Sequence, residues 1–433
     1  MLSKTAVIEN DRLNIAENFY SQARKLYEAN DFETSIDIVN KALDIYLEEE
    51  IFEMVFECLL LRASNYSGIH EFLKSLEDLS ECENHCNKIG LNNGLMRTFN
   101  LIGYNYSYIN NYEKATQAFE NSMKIAKALY DDKFIITLCL NLLTIYIFNK
   151  SYEKAVNIIQ ECHRIFKGSN NKYKYALFLE KISLLYSEID EIIKSNEINE
   201  ELLKYYDLEN NEYKKGIMLF YIGNNYFKKN EFEIAYKYYK NSLELIEKSG
   251  NSYISFEYYL HFGIVLLKLN KFESAKVNFD KFLGFNKDEN KEIGIAFDNI
   301  AEYYFFVDDF TNSRIYFRKA IDIFLKLEKN DLYIETVIKF LKLYKKELGD
   351  DEIFELLNEA MKVCEKSADF GDMIPVCKEY AEIYSRLNNT EKANFYKNKI
   401  NYLNLLKNKK ELQNKSEINL VLKKLNEINL TIL

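Results

Sequence analysis

A small residue returns every forty positions along most of this chain, and this period constrains the fold more than any other feature of the sequence. We call the place of that residue the marker position. One repeat near its end is shortened by two residues, and Ile353 alone breaks the small-residue rule. The small residues at the marker position are Ser35, Ser75, Ala115, Ala155, Ser195, Ala235, Ala275, Ser313 and Ala393.

Two further series of mainly aromatic residues keep step with the marker. Three series that stay aligned over about 360 residues indicate one array of stacked repeats, because separate globular domains do not share a period. Nine residues before the marker lie Leu26, Tyr66, Tyr106, Tyr146, Tyr186, Tyr226, Leu266, Tyr304, Tyr344 and Tyr384. Three residues before it lie Phe32, Phe72, Tyr112, Tyr152, Phe232, Phe272 and Phe310.

Each repeat is predicted to be a pair of helices joined by a short polar turn. The chain has one proline and 13 glycines, too few for the many turns of a long β protein. In the third repeat we expect a first helix over 95–109, a turn at Asn110 and Asn111, and a second helix over 112–129. Ala115, Phe119 and Ser122 then form one stripe of that second helix, where a small residue lets two helices approach closely.

The third repeat, LIGYNYSYINNYEKATQAFENSMKIA, resembles a tetratricopeptide repeat. Gly103, Tyr106, Tyr112, Ala115 and Phe119 match the glycine, aromatic and alanine positions of that family in order. The family's tryptophan and closing proline are missing, and the forty-residue period is longer than the usual repeat of the family. In these two respects the chain resembles the long-period tetratricopeptide proteins that act as bacterial sensors. The resemblance implies an all-α fold, a right-handed α-solenoid of antiparallel helix pairs with about ten repeats over residues 1–403. Two further repeats match through Gly223, Tyr226, Phe232, Ala235 and Tyr239, and through Gly263, Phe272, Ala275 and Phe279.

In tetratricopeptide proteins one face of the first helix lines the concave groove, and the resemblance places Asn100, Tyr104 and Tyr108 there. Aromatic rings and amides suit an extended peptide. The alternative is that these are ordinary, partly buried residues. Tyr106 and Tyr112 belong to the repeated series, so we attribute them to packing. The predicted groove also includes Thr144, Phe148, Phe220, Asn224, Lys228, His261, Asp298, Glu302 and Phe306.

No motif in the sequence supports catalysis. Cys82, His85 and Cys86 carry metal-ligating atoms, but they lack a second ligand pair, and Cys82 occupies a small-residue position that Ser122 and Cys162 fill elsewhere. The four histidines are scattered, and no phosphate-binding glycine pattern is present. We therefore predict a non-enzymatic protein with no cofactor and no metal.

Charge and hydropathy narrow the partners and the compartment. The net charge of −10 disfavours direct binding to nucleic acid, since phosphate contacts dominate that affinity. No apolar run is long enough to cross a bilayer, so we predict no membrane contact, and no secretory signal is visible. Seven cysteines without framework spacing favour reduced thiols and a cytoplasmic protein.

Residues 404–433 lie beyond the last marker and are predicted to form a separate C-terminal helix. Ile418, Leu422, Leu425, Asn429 and Ile432 follow alternating spacings of four and three, which is typical of a coiled coil. Either this helix caps the last repeat, or it pairs two chains in a homodimer. It is similar to the linker that precedes output domains such as diguanylate cyclases in sensory proteins.

The sequence therefore favours a tetratricopeptide-like regulator or scaffold that binds a protein or peptide segment in its groove. Two alternatives stay open. The chain is a sensory half whose last helix mediates dimerisation, or it is a phosphatase-like relative that acts on a response regulator. The second alternative requires a catalytic side chain, and the sequence identifies none.

Overall fold

A computed structural model describes residues 2–166, 171–250, 257–285, 289–367 and 370–428, with side chains from residue 11 onward. The described residues form twenty α-helices and no β-strand. They alternate as the first and second helix of ten successive pairs, which we call A and B helices. The predicted all-α, tetratricopeptide-like solenoid architecture is confirmed.

Most helices have nearly the same length, because both kinds of turn recur at regular intervals. The A helices are α1 (Leu2–Glu28), α3 (Phe52–Gly68), α5 (Asn92–Tyr108), α7 (Asp132–Phe148), α9 (Lys172–Glu188), α11 (Glu212–Lys228), α13 (Glu257–Lys268), α15 (Lys291–Phe306), α17 (Asn330–Tyr344) and α19 (Phe370–Arg386). The B helices are α2 (Phe32–Glu48), α4 (Phe72–Ile89), α6 (Tyr112–Ala128), α8 (Tyr152–Phe166), α10 (Ile192–Leu208), α12 (Phe232–Lys248), α14 (Phe272–Phe285), α16 (Phe310–Lys326), α18 (Asp350–Ser367) and α20 (Thr390–Asn426).

The turns show a period of twenty residues, half of the period seen in the side chains. Each of these turns places one residue in the left-handed region, with φ of 60° at Asn110 and 54° at Tyr130. Asparagine and glycine tolerate this conformation best, so a residue such as Tyr130 is held there by the helices on either side. The first seven such residues are Asn30, Glu50, His70, Gly90, Asn110, Tyr130 and Lys150.

The aromatic residue three positions before the marker is the first residue of its B helix, as at Tyr112 and Phe232. The marker itself is buried in every repeat, including at Ile353, which is 2% exposed. The tyrosine nine positions before the marker packs beneath a lysine: the Lys114 Nζ lies 5.2 Å from the centre of the Tyr106 ring. The attribution of Tyr106 to packing agrees with this cation–π contact.

Glycine on an A helix and an aromatic ring on the following B helix interlock. A Cβ atom added at Gly103 would lie 2.7 Å from the ring of Phe119, and one at Gly263 would lie 2.7 Å from Phe279. Because real Cβ atoms do not approach so closely, these positions require glycine. This contact explains why the two residue types recur together in the sequence.

Three of the four marker serines, Ser35, Ser75 and Ser195, accept a hydrogen bond from a buried asparagine thirty residues later, whereas Ser313 is followed there by Leu343. The Asn105 Nδ2 donates to the Ser75 Oγ at 2.6 Å, and the Ser75 Oγ donates to the Ala63 carbonyl at 2.8 Å. The Oγ of Ser67 donates to the Oδ1 of Asn105 at 2.6 Å, which completes a buried triad. A second triad, 120 residues further on, consists of Ser187, Ser195 and Asn225.

At every alanine marker before the last one, Ala393, the residue thirty positions later is apolar. Ala115 is followed by Ile145 and Ala155 by Leu185, and all four side chains are buried. The junctions between repeats are therefore of two kinds, polar and apolar. A buried asparagine needs its serine partner, since an unpaired buried amide is costly.

The described chain divides into two compact units. Unit 1 extends to Leu185 and also includes the end of α20 from Lys423, while unit 2 begins at Tyr186 and extends to Leu422. Each unit is a stack of successive helix pairs with its own buried core. In unit 1 the core contains Phe56, Leu59 and Val39, and in unit 2 it contains Phe317 and Tyr344.

The last helix is one continuous element, and the predicted boundary at residue 404 lies inside it. Leu403 is buried with Ile374 and Cys377 of α19. Of the predicted coiled-coil positions, Leu425 is 1% exposed, and Ile418 and Leu422 are partly buried. Asn429 and Ile432 lie outside the described residues. Residues 404–433 as a separate capping or dimerising element stay a prediction.

None of the helices in the described ranges combines the length and apolar character needed to cross a bilayer. All seven cysteines are free and buried. Cys82 packs at its small-residue position, with its Sγ 3.9 Å from the Phe56 carbonyl oxygen. Burial raises the pKa of the Cys86 thiol to about 11, so that thiol stays protonated and unreactive at neutral pH. Among the described side chains, no three His, Cys, Asp or Glu residues are arranged to hold a metal ion.

Candidate binding groove on the A helices of unit 1

An aromatic cavity of about 550 Å³ opens between α5 and α7 on the face formed by the A helices of unit 1. We call it the aromatic cavity. It brings together four of the residues predicted for the groove, namely Tyr104, Tyr108, Thr144 and Phe148. The side chains that line it are Tyr104, Ser107, Tyr108, Asn110, Tyr112, Phe119, Asn141, Thr144, Ile145, Phe148 and Lys181.

The rings at the mouth of the aromatic cavity are exposed although they contact one another. Tyr104 and Tyr108 lie one helical turn apart with ring centres 4.6 Å from each other, and Tyr112 meets Phe148 at 4.8 Å. The exposed fractions are 40% for Tyr104, 51% for Tyr108 and 64% for Phe148. Large exposed aromatic rings that neighbouring rings hold in place are typical of the residues that dominate binding energies.

The position of Tyr112 differs from the interpretation drawn from the repeat. As the first residue of α6 it fills the packing position of its series, and it also lines the aromatic cavity. Periodicity in the sequence distinguishes residues that pack between helices from residues that line a groove. A residue with both roles, such as Tyr112, is therefore assigned to packing alone. Phe119, the partner of Gly103, likewise forms part of the cavity wall.

Amide and hydroxyl groups stand around these rings. The Asn141 Nδ2 donates to the Asn100 Oδ1 at 3.1 Å, which joins α7 to α5. Asn100 is partly buried and does not itself line the cavity. The Thr144 hydroxyl donates to the Leu140 carbonyl at 3.0 Å and keeps its lone pairs. Burial, followed by the hydrogen bond with Tyr108, raises the pKa of Tyr104, so its phenol is neutral at physiological pH.

A second cavity, of about 570 Å³, lies on the A helices α1, α3 and α5 of the same unit. We call it the charged cavity. The Arg97 guanidinium donates to both oxygens of Glu57, at 2.5 and 3.0 Å, and the Tyr20 hydroxyl donates to Glu57 at 3.3 Å. Burial, followed by the Glu57 charge, raises the pKa of Tyr20 to about 12. Arg24 and Glu28 also line this cavity.

The charged cavity was not predicted from the sequence, although the forty-residue period contains the signal. Steps of eighty residues lead from Tyr104 back to Arg24 and from Tyr108 back to Glu28. These pairs occupy equivalent positions on their A helices. The predicted groove begins with Asn100 in the third repeat, so the equivalent arginine and glutamate of the first repeat are not among its residues.

The predicted groove residues of unit 2 take part in contacts inside that unit. Phe220 is 6% exposed and its ring centre lies 4.2 Å from that of Tyr258 and 5.3 Å from that of His261. The Asn224 Oδ1 accepts from the Tyr239 hydroxyl at 2.5 Å. Burial, followed by the charge of Lys291, lowers the pKa of His261 to about 4, so the imidazole is neutral at physiological pH.

Charged residues of the unit 2 prediction form ion pairs between successive A helices. The Lys228 Nζ lies 2.9 Å from Glu188, and the Lys268 Nζ lies 3.0 Å from Glu302. Lys339 pairs with Asp298 and lies 3.3 Å from a second oxygen of Glu302. Burial opposes the charge of Glu302, but Lys339 and Lys268 lower its pKa overall.

Phe306 differs from its neighbours in unit 2, since it is 45% exposed and stacks on Phe272 with ring centres 5.5 Å apart. The other predicted groove residues of unit 2 are therefore engaged by ion pairs, hydrogen bonds and ring contacts of that unit. The A helices of unit 1 carry the aromatic cavity and the charged cavity. The role of the predicted residues in binding, in either unit, stays a prediction.

Helix pairs that repeat with a marker alanine, an interlocking glycine and paired aromatic residues define a tetratricopeptide-like α-solenoid. Residues 97–129, from α5 to the end of α6, match the tetratricopeptide repeat family model. This match confirms the resemblance seen in the sequence. Among curated proteins, none matches this chain.

Solved structures share the fold at low sequence identity. The apo quorum sensor NprR from B. thuringiensis matches with a TM-score of 0.53 and 16% identity, over 92% of this chain and 99% of that one. NprR in complex with its cognate peptide NprX matches with a TM-score of 0.53 and 15% identity, over 82% of this chain and 99% of that one. A Rap protein complexed with Competence and Sporulation Factor matches with a TM-score of 0.50 and 12% identity, over 93% of this chain and 99% of that one.

Proposed function

We propose that this chain is a non-enzymatic tetratricopeptide-like regulator that binds a protein or peptide segment on the A helices of unit 1. The aromatic cavity is the observation that carries the proposal. It has room for two or more large side chains, and its rings are already held in place, which reduces the entropy cost of binding.

The hydrogen-bonding groups beside the rings suit a peptide in particular. The side chains of Ser107, Asn110 and Asn141 bring hydroxyl, amide N–H and carbonyl groups to the cavity wall. A peptide backbone offers one donor and one acceptor per residue, so such a mixture is complementary to it. The NprR and Rap neighbours, whose structures hold a peptide and a factor respectively, support the same kind of ligand.

Binding of a segment across several A helices also offers a regulatory mechanism. Each repeat contacts only its neighbours, so a ligand that bridges α5 and α7 favours those arrangements of the two helices that fit it best. The free energy of such a change equals the difference in affinity of the ligand for the two arrangements.

A selection experiment tests this function. A phage-displayed library of random dodecapeptides is panned on the full chain, and the selected peptides are synthesised and titrated by fluorescence anisotropy. We expect Phe148→Ala to weaken binding by roughly tenfold or more, since it removes an aromatic anchor. The selected peptides should also raise the melting temperature of the full chain by mass action.

Tyr130→Ala is the matched control, because Tyr130 is an aromatic residue of unit 1 that is 90% exposed and lies outside the cavity lining. Its affinity for the selected peptides should equal that of the unaltered chain. Phe148 is 64% exposed, so its loss leaves the core intact. Peptides that bind Phe148→Ala as tightly as the unaltered chain would show that the cavity is not the site.

A further inference from the structure

The charged cavity and the aromatic cavity lie on the same face of unit 1 and share helix α5. Arg97 of the charged cavity and Tyr104 of the aromatic cavity are seven residues apart on that helix, so they lie two turns apart on one side. The hydrogen bond between Asn100 and Asn141 fixes the part of α5 between them. One elongated ligand is therefore able to contact both cavities.

The charged cavity has more hydrogen-bond donors than its own acceptors use. Glu57 already accepts from two nitrogens of Arg97 and from the Tyr20 hydroxyl. Among the side chains that the structure describes, Arg24 forms an ion pair with Glu28, at 3.5 Å, and the two side chains are 59% and 64% exposed. A guanidinium carries five N–H groups in a planar fork that fits a carboxylate, and at Arg24 most of them face solvent.

The positions of Arg24 and Tyr104 set the spacing that a ligand must match. They occupy equivalent sites two repeats apart, on α1 and α5. With neighbouring helices about 10 Å apart, the separation is about 20 Å, which an extended chain covers in about six residues at roughly 3.3 Å each. A much shorter separation cannot reach both cavities at once, and a longer flexible one reaches them at a growing entropy cost.

We propose that the ligand of unit 1 is an extended peptide that carries an acidic residue about six positions from a large apolar residue, with the carboxylate on Arg24 and the apolar side chain in the aromatic cavity. This inference rests on the proposed function and specifies its ligand class. The ion pair of Arg97 with Glu57 holds the wall against which the carboxylate binds.

Designed peptides test the spacing and the charge together. The probes are fluorescein-labelled twelve-residue peptides of Gly and Ser with one Phe and one Asp, separated by two to nine positions in both orders. Each has a twin in which Asp is replaced by Asn. When Phe and Asp are about six positions apart, we expect the Asp peptide to bind the full chain about tenfold tighter than its Asn twin. When they are two positions apart, the Asp and Asn peptides should bind with equal affinity.

Substitutions assign the effect to the charged cavity. Arg24→Gln should abolish the difference between the twins while Phe-dependent binding persists. Arg12→Gln is the control, since Arg12 is also an exposed arginine of α1 but pairs with Glu48 and Glu49 and does not line the charged cavity. It should leave the difference unchanged.

The outcomes separate this inference from the proposed function. Twins that bind alike at every separation, yet lose affinity in Phe148→Ala, overturn the acidic ligand class and leave the aromatic site standing. A difference that persists in Arg24→Gln also overturns it. Peptides that show no Phe-dependent binding at all contradict both proposals.

Discussion

At the scale of single residues, the marker position does more than allow close approach of helices. Ser75 connects three groups, because it donates to the Ala63 carbonyl, accepts from Asn105 and lies 3.0 Å from the Ser67 hydroxyl. The same triad recurs at Ser195, whereas Ala115 and Ala155 face apolar residues. In these repeats serine and alanine, which look equivalent as small residues, are therefore matched by different residues thirty positions later.

Replacement of Ser75 by alanine should destabilise unit 1 by about 1–3 kcal/mol, because the Asn105 amide is left buried without an acceptor. Asn105→Leu added to Ser75→Ala recreates the pair seen at Ala155 and Leu185, and it should recover part of the loss. Urea unfolding of the four members of this double-mutant cycle measures the coupling energy, which we expect to be about 1 kcal/mol or more.

Ser80→Ala serves as the control for this cycle, since Ser80 is an exposed serine of the same helix, α4. Its free energy of unfolding should match that of the unaltered chain within about 0.5 kcal/mol. Additive effects of the Ser75 and Asn105 changes would show that the buried triad does not couple the two repeats.

At the scale of helices, the A and B helices of a pair pack through complementary surfaces. The ring of Phe119 fills the space left by the missing side chain of Gly103, and the marker Ala115 lies one turn before it on α6. Regular turns with one left-handed residue reverse the chain after most helices. Sequence periodicity predicted where α6 begins, and α5 begins at Asn92, three residues before the predicted start.

Gly103→Ala tests this interlock against helix propensity. Alanine favours a helix over glycine by about 1 kcal/mol, but a Cβ atom 2.7 Å from the Phe119 ring has no room, and overpacking costs about 1–3 kcal/mol. Because Phe119 is only 2% exposed and cannot move aside, we expect net destabilisation, measured as a lower urea midpoint. The added change Phe119→Leu should reverse part of it.

Gly284 provides a control of opposite sign. It is a helical glycine of α14, and no atom of the described residues lies within 4 Å of a Cβ added there. Gly284→Ala should therefore leave stability unchanged or raise it by up to about 1 kcal/mol. Equal effects at Gly103 and Gly284 would contradict the interlocking of glycine and ring.

At the scale of the whole chain, each repeat packs mainly on the repeats before and after it. Stability in such an array is approximately a sum of repeat and junction terms, and a local defect stays local. Ion pairs join successive A helices in both units, as Arg97 with Glu57 in unit 1 and Lys268 with Glu302 in unit 2. In unit 1 the A helices also carry the aromatic cavity and the charged cavity.

Hydrogen exchange of Gly103→Ala should reveal this one-dimensional behaviour. We expect faster amide exchange in α5 and α6 and in the adjoining α4 and α7, with protection in α15–α18 unchanged. Mass spectrometry of pepsin fragments resolves these helices. A uniform increase in exchange along the chain would show instead that the repeats unfold as one cooperative body.

The sequence alone determined the helical class, the repeat boundaries and the buried marker residues, because a period of forty residues repeats one packing problem many times. It also placed Tyr104, Tyr108, Thr144 and Phe148 on one face. Only the tertiary structure decided which equivalent positions remain open. In unit 2 a ring contact holds Phe220 and an ion pair holds Lys268, whereas in unit 1 the side chains leave space around Tyr104 and Arg24. That outcome depends on contacts between residues about forty positions apart, and these contacts change from repeat to repeat while the period stays the same.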